Sequence, residues 1–365
     1  MRKFLVYVVL SILTLSCQFP KASNNGAIDS SDKYKKALEK QNIINNVIYA
    51  DVETDAEISD DITDDCADDP AIWLNTNEAS KSVIFGSNKK RGIHSYTLDG
   101  KQKQFVAYAR INNIDVRQGI VLNGKKADIL AGSNRTSNSV DLFLIDTAGK
   151  IHAKPDYIIK LEDNFKPYGF CLYKNKSGQL YAFVNNKKGE IIQISVDIQN
   201  NKLDAKVVKK FKLNSQVEGM VADDSLARLY VAEEDFGIHM FDLSKNSNKS
   251  IVLNGSTKDN IKISFDIEGV ALLKPNYLVA SIQGNFTYAV FDIKHNRYVT
   301  SFKIEGKEVD RVEETDGIEI FNESLGNTFP EGVLIVQDGF NYDGKSLNYQ
   351  NFKIIDLRKV KKYLK

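Results

Sequence analysis

The sequence predicts an all-β chain folded as a six-bladed β-propeller, with four-stranded antiparallel blades and a ring closed by an N-terminal strand. Three observations carry that expectation. Beyond the N-terminal segment no stretch sustains a helical period, and short β-branched and aromatic runs alternate with Gly, Asn, Asp and Lys turns. These runs recur in register at a spacing of about fifty residues, as a repeat architecture requires. The repeat is present six times, with four runs in every unit but the last.

The chain opens with Met1-Arg2-Lys3, an apolar run over residues 4–15, then Ser16 and Cys17. A positive start, a hydrophobic segment and a small residue before the boundary read as a signal peptide over residues 1–16, too short for a membrane span. Leu15-Ser16-Cys17 resembles a bacterial lipoprotein cleavage site, although Thr14 stands where such sites usually carry Leu. Lipidation of Cys17 and ordinary cleavage both stay open, so the protein is expected to be exported. It would then be a membrane-anchored lipoprotein, periplasmic or at the cell surface, or secreted. Residues 17–44 are polar and read as a flexible tether with a short helix at 33–40. Residues 45–365 are the propeller domain, expected to be monomeric.

Composition narrows the function. The 365 residues are 42% hydrophobic, enough for a large core, and 49 Lys+Arg against 48 Asp+Glu leave a net charge of +1. That balance excludes the basic footprint of a nucleic-acid binder. Three Cys do not make a disulfide scaffold, and four scattered His without an HExxH pattern do not make a histidine metal centre. Any metal would take oxygen ligands. Cys66 and Cys171 read as buried free thiols, with pairing left open.

The first run of each repeat opens with a polar motif, and Asp69, Asp115, Tyr168, Glu218, Glu268 and Asp316 mark the openings at intervals of 46, 53, 50, 50 and 48. Second runs follow at 82–88, 127–134, 180–185, 228–234, 277–283 and 332–338, each ending in a polar cluster. Third runs lie at 92–98, 139–145, 190–196, 237–243, 288–293 and 352–357, and fourth runs at 104–110, 155–161, 206–213, 249–253 and 297–304. The sixth repeat ends before a fourth run. Residues 46–54 (NVIYADVET) are expected to supply it from the N-terminal side.

In an antiparallel blade the start of strand one and the end of strand two lie at the same end, so both clusters converge on one channel mouth. Asp68, Asp69, Asp115, Glu218, Asp266, Glu268 and Asp316 are placed around the axis, with Glu233, Glu234 and Asp338 just outside. So many carboxylates repel unless cations neutralise them, and hard oxygen ligands favour Ca2+. The strand-two ends divide by sign: Lys89, Lys90, Arg91, Arg135, Lys187 and Lys188 in repeats one to three, and Glu233, Glu234, Asp235, Gln283 and Asp338 in four to six. Lys and Arg can hold phosphate oxygens directly while bound calcium bridges others to the carboxylates. Taken singly such residues are solvated loop charges; their repeated placement is what points to a polyphosphorylated ligand. No Cys-Arg phosphatase loop and no RHG motif is present. The near P-loop Gly119-Ile-Val-Leu-Asn-Gly124-Lys125 lacks the final Ser/Thr and reads as a hairpin turn.

Specific motifs run through the chain in order: DDPAIW at 68–73, SNKK at 87–90, NNIDV at 112–116, SNR at 133–135, YGF at 168–170 and EGM at 218–220. LYVAEED at 229–235, DIEG at 266–269, QGN at 283–285, TDGI at 315–318, QDG at 337–339 and QNFK at 350–353 continue the series. From about residue 51 to 360 the chain resembles the β-propeller phytases, calcium-dependent enzymes that remove phosphate from myo-inositol hexakisphosphate. The resemblance implies several Ca2+ ions, phytate or calcium-phytate as substrate, a cleavage subsite and a second, anchoring phosphate subsite. It assigns Lys89, Arg135, Tyr168, Glu218 and Glu234 to catalysis, and Lys89, Lys90, Arg135, Tyr168 and Lys187 to substrate binding, to which Lys188, beside Lys187, is added as a direct phosphate contact. Asp69, Asp115, Glu218, Glu234, Asp266, Glu268, Gln283, Asp310, Asp316 and Asp338 are the expected metal ligands. The implied mechanism is in-line attack by a metal-activated water, which Glu234 orients or deprotonates, with Lys89 and Arg135 neutralising the equatorial oxygens.

Four departures from the family pattern stand out. Lys188 replaces an acid, Arg311 follows Asp310 where Gly is usual, Phe340 replaces an acid after QDG, and Phe165-Lys166 does not reproduce a polar Asn before Tyr168. Two rival functions are a non-catalytic propeller that binds a polyanion or protein partner, and another calcium propeller hydrolase such as a lactonase. The cationic crescent facing an anionic half argues against both.

Overall fold

A computed structural model describes residues 25–364. The signal peptide and Cys17 lie outside them. Six four-stranded antiparallel sheets form the blades of a propeller. Blade one is Ala67–Trp73, Val83–Asn88, Gly92–Tyr96 and Gln102–Ala107, and the same meander repeats through blade five, whose outer strand is Arg297–Ile304. The near P-loop is a hairpin: Leu122 pairs with Lys125, and Asn123 and Gly124 take φ of 51° and 74° in the two-residue turn between them.

The strands read as near-continuous apolar runs because each blade is covered on both faces. Val333–Asp338 of blade six is buried at all six positions. Apolar clusters fill the space between each consecutive pair of blades, the last joining Ile72, Ile84 and Tyr96 of blade one to Ile335, Phe352 and Ile354 of blade six. Packing blade on blade covers the apolar faces that a lone four-stranded meander would expose.

Ring closure comes from the N-terminal side, but the expected single strand at 46–54 is two. Val52–Glu53 pairs antiparallel with Asn351–Asp356 and completes blade six. Asn46–Ile48 instead runs parallel to Arg297–Ile304 as a fifth strand on blade five. The segment therefore clamps two neighbouring blades. Upstream, the helix extends over Asn25–Gln41, well beyond the expected 33–40, and Ala37 and Gln41 are buried against the propeller. Cys66 and Cys171 are free and buried.

Candidate metal and phosphate site

A β-bulge opens the inner strands. In blade one Ala67 pairs with Asn88 and Pro70 with Gly86, so Asp68 and Asp69 together face Ser87. The same two-against-one step falls at Asn112-Asn113, Glu218-Gly219 and Glu268-Gly269, and Tyr168-Gly169 and Asp316-Gly317 hold the corresponding places in blades three and six. The first residue of each pair enters a ring at the channel mouth: Asp68, Asn112, Tyr168, Glu218, Glu268 and Asp316. The second is Gly in four blades because neighbouring inner strands touch there. The Gly269 and Gly317 N–H groups donate to the carbonyls of Asp316 and Asp68 in the next blade, at 3.3 and 3.1 Å. A Cβ at Gly219 would overlap the Glu268 carbonyl oxygen.

Side chains from strand-two ends hold the ring backbone. Ser133, Asn185 and Ser281 donate to the carbonyls of Tyr168, Glu218 and Asp316 at 2.5, 2.9 and 2.6 Å, each reaching the following blade. The turns after those strands are wound around an Asn. The Asn88 Oδ1 accepts from the N–H groups of Lys90 and Arg91, Asn134 Oδ1 from Thr136 and Ser137, and Asn186 Oδ1 from Lys188 and Glu190. This winding is why SNKK, SNR and NNKK carry their cations to the mouth.

Two triads of carboxylates, Asp68–Glu218–Asp316 and Glu218–Glu234–Glu268, each bring ligand oxygens within 4.8 Å of one another. All five residues are buried. Asp68 Oδ2, Glu234 Oε1 and Glu268 Oε2 have no hydrogen-bond partner among the described residues. Buried unpaired carboxylate oxygens are costly, and their hard, charged character suits a divalent metal ion. Burial, then the charge of Asp316, pushes Glu218 up to about 8. Burial also pushes Glu234 up to about 7, with Asp266 adding and Lys187 opposing. Asp68 and Glu268 are raised well above the carboxylate range, first by burial.

The cations meet these acids. Lys89 Nζ lies 3.0 Å from Asp316 Oδ2, 3.4 Å from Asp68 Oδ1 and 2.9 Å from Asp65 Oδ2; burial opposes its charge, but the three acids hold the ammonium above its ordinary pKa. Arg135 donates to Asn112 Oδ1 at 3.0 Å, and Asn112 donates to Glu218 Oε1 at 2.6 Å. Arg135 lies over one side of the Tyr168 ring at 5.7 Å and Lys187 Nζ at 4.2 Å. Lys187 and Lys188 are exposed on one turn, and Lys90 sits 3.6 Å from Asp64 Oδ1. Asp266, half-exposed, accepts at its carbonyl from Gln283 N at 2.9 Å, which brings Gln283 to the same rim.

Other expected ligands stand apart from the ring. Asp69, the second bulge residue, accepts from Ile114 N at 3.0 Å. Asp115 lies three residues further down the channel than Asn112. It is bound by Arg117 Nη1 at 2.7 Å and Leu172 N at 2.8 Å, within a channel cavity of about 450 Å3. The blade-two slot belongs to Asn112 because the bulge selects the first residues of NNIDV. Asp310 and Asp338 form a second centre around Lys353. Lys353 is fully buried, 3.1 Å from Asp338 Oδ2, 2.7 Å from Glu53 Oε2 and in direct contact with Asp310 Oδ1. An ammonium thus holds these acids together. Glu233, beside Glu234, points away and accepts from Asn214 N, Ser215 N and His239 Nε2. Asn112, Asp65 and Lys353 fell outside the expected site; the place of Asn112 at the head of its repeat motif was the signal for the first.

A family model described as Phytase matches residues 10–365 of this chain. A 3-phytase of Bacillus subtilis (strain 168) is 40% identical over 308 residues, covering 81% of this chain and 80% of that protein. Among solved structures, a luciferin-regenerating enzyme superposes with a TM-score of 0.52 at 13% identity, over 80% of this chain and 92% of its own, a likeness of fold alone.

Proposed function

This chain belongs to the phytase family, and on that footing we propose that its mouth hydrolyses phosphate monoesters of myo-inositol hexakisphosphate with several Ca2+ ions held by the acidic ring. The observation that carries the reading is the facing of two arrays across one mouth: buried carboxylates with unpartnered oxygens, and the Lys89–Arg135–Lys187 crescent. Asp68, Glu218, Glu234, Glu268 and Asp316 would hold the metal, with Asp266 and Gln283 at its outer side. Calcium, when bound, supplies positive charge to phosphate oxygens and acidifies water.

The chain's own groups do the rest. Arg135, fixed by Asn112 and backed by Tyr168, presents its guanidinium to phosphate oxygens and stabilises charge that grows on them in the transition state. Lys89 adds a second cation beside Asp68 and Asp316 of the first triad. Glu234, with one oxygen free and a pKa near neutrality, is suited to take a proton from attacking water. Lys187, Lys188 and Lys90, exposed at the rim, hold neighbouring phosphates. The roles of Asp69, Asp115, Asp310 and Asp338 are better read as structural, given their Ile114, Arg117 and Lys353 partners.

The test is phosphate release from phytate by the full chain, with calcium and after chelation by EGTA. Release only with calcium supports the reading, and release unaffected by EGTA overturns the metal role. We further infer export as a monomer, with anchoring through a lipidated Cys17. Palmitate labelling that persists after Cys17→Ser would refute the anchor.

A further inference from the structure

The helix Asn25–Gln41 is fastened to the rim rather than hanging from it. The Tyr34 ring packs between Phe286 and Phe340, with centroids 5.7 Å from each. Its hydroxyl donates to Glu313 Oε1 at 2.7 Å and accepts from Arg311 Nη2 at 3.0 Å. The Gln41 side chain donates to Phe286 O at 3.0 Å, and Ala37 is buried between these anchors in sequence. Arg311 and Phe340 both touch Tyr34. Phe286 closes the short QGN turn that begins at Gln283, so the helix is docked directly beside the candidate site.

Docking fixes what stands next to Tyr34. Lys33 is largely exposed, and its Nζ lies 3.6 Å from Asp266 Oδ2. The adjacent Tyr34 bonds Glu313, in the segment leading into blade six. Lys33 therefore sits over blades five and six, the anionic half, across the ring from Arg135 of blade two and Lys187 of blade three. Its contact with Asp266 is long and solvated, so a doubly charged phosphate can replace that partner without leaving a buried charge behind.

Resting on the phytate reading above, we propose that Lys33 is a substrate-binding residue. Held by the docked helix, its ammonium contacts a phosphate on the anionic side of the mouth, opposite the crescent. A compact polyphosphate with esters around a ring presents charge to both sides at once, so Lys33 favours such substrates over single phosphomonoesters.

The experiment compares the calcium-loaded full chain with Lys33→Ala, Lys33→Arg and Tyr34→Ala. Lys33→Ala is expected to raise KM for phytate three- to tenfold with kcat within twofold, leaving half-saturating calcium and KM for p-nitrophenyl phosphate unchanged. Lys33→Arg should restore most of the loss, and Tyr34→Ala, which frees the helix, should reproduce it with the melting of the propeller preserved. An unchanged KM for phytate overturns the proposal. So does a lowered calcium requirement at constant KM, which would make Lys33 a competitor for Asp266. Calorimetric titration of phytate into wild type and Lys33→Ala reads the same three- to tenfold weakening without turnover. A wild type that binds but releases no phosphate would thus fail the catalytic reading alone, whereas equal affinities would fail this one.

Discussion

At Glu233 and Glu234 two adjacent acids are assigned opposite work by the direction each side chain takes from the strand. Glu233 spends its oxygens on Ser215, Asn214 and His239, while Glu234 keeps one unpartnered at the mouth. Glu234→Gln and Arg135→Ala are accordingly expected to lower kcat about a hundredfold or more with melting temperature maintained, checked by steady-state kinetics beside calorimetry. Glu57 shows the same principle away from the site. It is fully buried, accepts from the Tyr96 hydroxyl at 3.1 Å, and burial pushes it up to about 8. A carboxyl whose folded pKa is raised contributes stability that is full below its ordinary value near 4.5 and lost as pH rises through about 8. Glu57→Gln should flatten the fall in melting temperature between pH 5 and pH 8.5, measured by scanning calorimetry; a slope equal to wild type would reject that role.

Elements decide how close the acids come. The bulge that starts each inner strand lifts one residue into the ring and leaves the next against its neighbour's backbone, and Gly219 has no room for a methyl there. Gly219→Ala must push blades four and five apart at the mouth, so we expect about 2 kcal/mol or more of lost stability and at least a tenfold loss of phosphate release. Urea unfolding and activity should fall together. The clamp segment works through charge. Val52–Glu53 brings Glu53 to Lys353, which also binds Asp310 and Asp338. Lys353→Met strands these carboxylates, with an expected cost of about 3–5 kcal/mol seen as a lower urea midpoint. An unchanged midpoint would mean another cation fills the gap.

For the whole molecule, ring closure and metal binding act on the same state. Native blades gather the carboxylates that an unfolded chain disperses, so calcium at a hundred times its dissociation constant should stabilise the fold by about 2.7 kcal/mol per site. The sign with pH follows from Glu218 near 8 and Glu234 near 7. Metal competes with protons at these groups, so the calcium-induced rise in melting temperature should be larger at pH 8.5 than at pH 5.5. Phosphate release should decline as pH falls through about 7. Equal calcium shifts at both pH values would separate the metal from the ring.

The sequence by itself determined the blades, their order, the mouth and the sign of its two halves. Strand runs recur in every blade and Asn-wound turns in blades one to three, and both are local and need no distant partner. Even the N-terminal origin of the closing strand follows from a sixth repeat one strand short. Only the tertiary structure decided which residue of each opening motif enters the ring, because the bulge is set by hydrogen bonds to the preceding and following blades. In that way Asn112 rather than Asp115 faces Glu218. It likewise decided that Lys353 neutralises Asp310 and Asp338, and that a polar N-terminal segment docks as a helix on Phe286 and Phe340. These contacts join residues far apart in the chain, and their energies depend on burial that no local pattern encodes.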